Sequence, residues 1–102
     1  MEFKVNTIVM FNGLAQSAFP HIERVYNDIG APCVCTSGLD GVHSEGSLHY
    51  QGRAWDFRTR DVKDVAGLVA KLKQALDPMY YDLELEKDHI HIEYDPKQRR
   101  GL

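Results

Sequence analysis

Cysteine is scarce. The 102-residue chain has two, Cys33 and Cys35, separated by Val34. A C-x-C pair supplies half of a four-thiolate zinc site, and no second pair completes it. In a strand the two thiols would point to one face with poor disulfide geometry, so reduced, buried thiols are expected. An excess of basic charge is also missing. Twelve Lys and Arg against fifteen Asp and Glu leave a net charge of −3, which excludes a general nucleic-acid binder. The only basic cluster is Lys97, Arg99 and Arg100. No run is long and apolar enough to span a bilayer, so membrane insertion is not expected. The segment from Met1 to Gly13 carries Glu2 and an apolar run broken by Asn6, Thr7 and Asn12, and it does not read as a secretory signal. A cytoplasmic location in the producing cell follows as the expectation, with delivery by another component if the target lies outside. Repeats, low-complexity segments and linkers are absent. The length fits one domain over residues 1–102 with one modest core.

What is present alternates between two periodicities. Phe3 to Phe11 alternates weakly, as a short strand would. Ser17 is placed to cap a helix whose first turn tolerates Pro20, and Phe19, Ile22, Val25, Tyr26 and Ile29 recur at helical spacing until Gly30. Pro32 to Thr36 reads as a buried strand, and Ser37 to Gly46 as a loop rich in Gly, Ser and Asp. Arg53 to Thr59 reads as a strand with Trp55 and Phe57 on one face and Ala54, Asp56 and Arg58 on the other. A second helix is expected from about Asp61 to Leu76, with Val62, Val65, Leu68, Val69, Leu72 and Leu76 as its apolar stripe and Asp77-Pro78 as its stop. Strands Tyr80 to Glu86 and His89 to Tyr94 follow, joined tightly at Lys87-Asp88. The expected class is α+β: a small, mainly antiparallel sheet with two helices packed on one face.

The other sheet face collects Asp56, Arg58, His89, His91 and Glu93. Two histidines at i and i+2 beside two carboxylates suggest metal binding rather than a plain solvated face. Catalytic zinc sites use three His, Asp or Glu ligands and leave a fourth position for water. The candidates are His49, Asp56 and one of His89 or His91. A bend at Gly52 would let His49 and Asp56 reach one ion, at about 2.0–2.2 Å each. The bland alternatives are a solvated H-x-H and an Asp56 tied to Arg58.

Two motifs sharpen this reading. Ser47 to Asp56 fits S-x-H-x-x-G-x-A-x-D at each defined position, and Asp88-His89-Ile90-His91 fits D-H-x-H. Together they resemble the LAS-type zinc peptidases: D-Ala-D-Ala carboxypeptidases, D-Ala-D-Ala dipeptidases and phage L-alanyl-D-glutamate endopeptidases. The resemblance covers roughly Cys33 to Asp95 and is strongest to short phage-type members, through the run from Thr36 to Tyr50. It implies one zinc per chain held by His49, Asp56 and His91, with Asp88 as general base and proton donor to the leaving amine. It places His89 beside the metal, to stabilise the oxyanion or hold Asp88. His89 as ligand with Glu86 as base is the alternative, because E-x-x-H has the same three-residue spacing. Ser47 is expected to make a structuring hydrogen bond. Larger members carry an Arg before the first motif that contacts substrate; this chain has none between Ser37 and Ser47. His43 is the expected substitute donor in that loop. Arg53 and Arg58 are further anchors for a substrate carboxylate, with Arg58 expected to pair with Asp56 or Glu93.

The resemblance therefore implies a zinc peptidase that cuts peptidoglycan stem peptides, the L-Ala-D-Glu bond first and D-Ala bonds second. A catalytically inactive zinc-binding module of the same fold is the principal alternative. A metal-free α+β interaction domain is the third.

Overall fold

A computed structural model describes residues 1–5, 7, 16–38 and 53–96. In chain order its elements are β1 (Glu2–Phe3), α1 (Phe19–Asp28), β2 (Val34–Ser37), β3 (Ala54–Arg58), α2 (Val65–Ala75), β4 (Tyr81–Leu85) and β5 (His89–Tyr94). The five strands form one sheet in the order β1-β2-β3-β5-β4. β1 runs parallel to β2, and every other neighbouring pair is antiparallel. The α+β architecture expected from the periodicities is the one observed.

Alternation decides which sheet face is dry. Trp55, Phe57, Ile90 and Ile92 are fully buried, and Ile22, Val25 and Tyr26 of α1 and Leu68 and Leu72 of α2 complete the same core. Burying each such side chain stabilises the fold by about 1.5–3 kcal/mol before ordering entropy is subtracted. Phe19 sets its ring edge-on to Trp55, with centroids 4.9 Å apart. Cys33 and Cys35 lie in this core as free thiols, as their sequence context predicts. Burial pushes the Cys33 thiol up to about 12.

Helix boundaries depart from the sequence expectation in ways the side chains explain. The cap of α1 is Ala18, which offers no side-chain acceptor, while the Ser17 hydroxyl lies 3.3 Å from the Tyr81 hydroxyl across the fold. Pro20 sits in the first turn as expected, and Gly30 ends the segment with φ of 74°. Helix α2 begins at Val65 rather than near Asp61. Asp61 is held by Arg58, Val62 N–H donates to the Thr59 carbonyl in a turn, and Asp64 is the cap, accepting from Gly67 N–H at 2.9 Å. Among the described residues β1 covers only Glu2–Phe3 of the expected Phe3 to Phe11 strand. β2 runs through Ser37, one residue beyond the expected end. No helix of the described residues is long and apolar enough to cross a membrane.

Candidate metal centre

The polar sheet face is organised by the β3–β5 ladder. Antiparallel pairing sets Asp56 opposite His91, Arg58 opposite His89 and Ala54 opposite Glu93. Directly paired residues share a face, so Asp56 of the first motif meets His91 of the second. Asp56 is 9% exposed. The His91 ring bridges two carboxylates: Nδ1 donates to Asp56 Oδ1 at 3.0 Å and Nε2 donates to Glu93 Oε1 at 2.8 Å. Hydrogen bonding to Asp56 and then to Glu93 outweighs burial and pushes His91 up to about 9. The site therefore concentrates negative charge around one imidazole and favours a cation there.

A second pair extends the row. His89 Nε2 lies 3.8 Å from the same Asp56 oxygen, and His89 Nδ1 donates to Asp88 Oδ1 at 2.7 Å. Asp88 is fully exposed at the turn before β5, and its bond from His89 holds its carboxyl below the usual range. That turn closes through Glu86 N–H on the His89 carbonyl. Asp88, His89, Asp56, His91 and Glu93 thus form one continuous line of side chains along the paired strands β3 and β5.

Of the residues proposed from sequence, the structure brings together Asp56, His91, His89 and Asp88. His43, His49, Ser47 and Gly52 lie outside the described residues. Arg58 corrects an expectation. Its Nε and NH2 bond Asp61 Oδ2 at 2.8 and 2.7 Å, so it pairs with neither Asp56 nor Glu93. The partner three residues on is reached by a local turn, and Asp56 faces His91 and His89 instead.

Two features were not assigned from sequence. Glu93, already on this face by the strand's alternation, is a direct partner of His91, a role the sequence reading did not give it. Asp82, Glu93 and Asp95 bring carboxylate oxygens within 4.8 Å of one another and form a group that can hold a metal ion. Asp82 reaches the group because β4 pairs it opposite Glu93. Arg53, 3.7 Å from Asp95, offsets part of its charge. An all-oxygen group suits a hard cation better than zinc, and it shares only Glu93 with the row above.

No protein-family model matches the chain, and no solved structure matches it. Part of it is similar to hedgehog proteins. The Indian hedgehog protein of Gallus gallus is 46% identical over 55 residues, which is 51% of this chain and 13% of that protein. The Indian hedgehog B protein of Danio rerio is 42% identical over 55 residues, with the same shares. The likeness thus spans about half of this chain and a small part of those proteins.

Proposed function

We propose that this chain is a zinc-dependent peptidase acting on the stem peptides of bacterial peptidoglycan, with His49, Asp56 and His91 holding the metal. The observation that carries the reading is the Asp56–His91 pair, set face to face by the β3–β5 register with its donor atoms 3.0 Å apart. The donor chemistry fits a divalent ion. A nearly buried carboxylate and an imidazole nitrogen lie 3.0 Å apart, and the other nitrogen of that ring is bonded to Glu93, the kind of outer partner that orients a ligating histidine. When bound, zinc lowers the pKa of a coordinated water toward neutrality and polarises the scissile carbonyl.

The chain's own residues do the rest. Glu93 fixes the His91 ring. Asp88, exposed and held below its ordinary range by His89, accepts a proton and returns it to the leaving amine. His89 spans Asp88 and Asp56; protonated, it places positive charge where an oxyanion develops, and it holds Asp88 through Nδ1. The L-Ala-D-Glu bond is the first choice of substrate bond, on the likeness of the Thr36 to Tyr50 run to short phage enzymes. Asp88→Ala tests the assignment. Retained zinc with loss of peptidoglycan cleavage supports it; retained cleavage refutes Asp88 as the base.

One observation favours a second reading, a zinc-binding module without catalysis: the chain has no Arg between Ser37 and Ser47. On that reading the wild-type protein binds zinc and releases no new amino termini from cell wall.

A further inference from the structure

Beside the Asp88–His89 pair lies a cleft of about 430 Å³ lined by Lys4, Thr36, Ser37, Arg58, Arg60, Asp88 and His89. Four parts of the chain build it: the end of β1, the end of β2, the end of β3 with the turn that follows it, and the turn that leads into β5. Its charge is uneven. Arg58 is neutralised by Asp61 and Asp88 is engaged by His89. Among the described residues no carboxylate pairs with Lys4 or Arg60, and both are exposed. Two uncommitted cations therefore face a space that also holds Asp88.

We infer that Lys4 and Arg60 form a carboxylate-binding subsite for the residue whose nitrogen is the leaving group. This rests on the peptidase reading for its direction. Asp88 delivers the proton to the leaving amine, so the half of the substrate that carries that amine lies against the wall Asp88 shares. Both bonds under consideration put a free carboxylate on the carbon next to that nitrogen. In the L-Ala-D-Glu bond it is the α-carboxylate of a γ-linked D-Glu; in a D-Ala–D-Ala bond it is the chain terminus. Lys supplies a mobile point charge and Arg a planar pair of donors, which suit one carboxylate together. Such a pair would take the role that an Arg before Ser47 has in larger relatives.

The test is binding, independent of turnover. Zinc-loaded, 15N-labelled protein is titrated with γ-D-glutamyl-L-lysine and with the same dipeptide amidated at the α-carboxylate. D-alanine and D-alaninamide form a second arm. The subsite predicts a Kd about fivefold or more tighter for the acid form of one pair, the order expected for exposed ion pairs. Amide shifts should fall at Ser37, Arg60 and Asp88, and the arm that discriminates identifies the residue accepted. A Lys4→Gln/Arg60→Gln variant should keep its zinc and its melting temperature while the difference falls below about twofold. Equal affinities for acid and amide in both arms, no saturable binding of any of the four, or discrimination that survives in the double variant overturns the subsite. Discrimination without any peptide cleavage would instead sink the peptidase reading and leave the subsite standing.

Discussion

His91 couples the candidate site to the stability of the metal-free protein, and the coupling has a definite sign. Its folded-state pKa, pushed up to about 9 by Asp56 and Glu93, exceeds the ordinary value of 6.5. A raised pKa contributes stability that is fully present below about pH 6.5 and is lost as pH rises through about 9. At 1.36 kcal/mol per unit, that shift corresponds to about 3 kcal/mol. His91 is 21% exposed and Glu93 24%, so screening reduces the expected contribution to about 1–2 kcal/mol. The assay is urea unfolding in chelator at pH 6, 7.5 and 9, followed by the fluorescence of Trp55, the sole and fully buried tryptophan. Wild type should lose about 1–2 kcal/mol more than His91→Gln between pH 6 and 9. The amino terminus, raised by its bond to Glu23, and the Cys33 thiol, raised by burial, add their own pH dependence. Both are common to the two proteins and cancel in the difference. Identical pH slopes, or a wild type that gains stability relative to the variant toward pH 9, would refute the coupling.

Further outcomes follow from the same contacts. Zinc affinity should rise about tenfold per pH unit from 6.5 to 8, read by competition with a chromogenic chelator, because His91 must give up a proton to bind. Asp88→Ala should keep its zinc and lose about 10²–10⁴-fold in peptidoglycan cleavage, measured as release of amino termini. Cys33 and Cys35 should resist a thiol reagent at pH 8 in the folded protein and react once urea is added, since both are buried and Cys33 titrates near 12. Leu72→Ala, at a fully buried position under the sheet, should cost about 2–5 kcal/mol by urea unfolding.

Face assignment was legible in the sequence because a strand's period of two leaves little choice. Trp55 and Phe57, and Ile90 and Ile92, had to share the dry side, so Asp56, His89, His91 and Glu93 had to share the other. The β5 boundaries and the Lys87-Asp88 turn were legible for the same reason. Helix starts were less so. Asp61, Asp64 and Ser17 all have capping chemistry, and tertiary and local partners decided among them: Arg58 took Asp61, Tyr81 drew Ser17, and only Asp64 caps. The pairing of Arg58 was misread because side-chain direction at a strand end depends on the following turn. The Asp82–Glu93–Asp95 group was not legible, since it depends on the register of β4 against β5, which no local pattern specifies.

The most direct test of the metal centre is zinc content of the purified wild-type protein, with cleavage of isolated peptidoglycan followed with and without chelator. The proposed function predicts one zinc per chain, reduced in Asp56→Ala and His91→Ala, and chelator-sensitive release of new amino termini that identify the bond. A chain that retains no zinc, or that releases the same termini in chelator, would contradict the assignment of His49, Asp56 and His91.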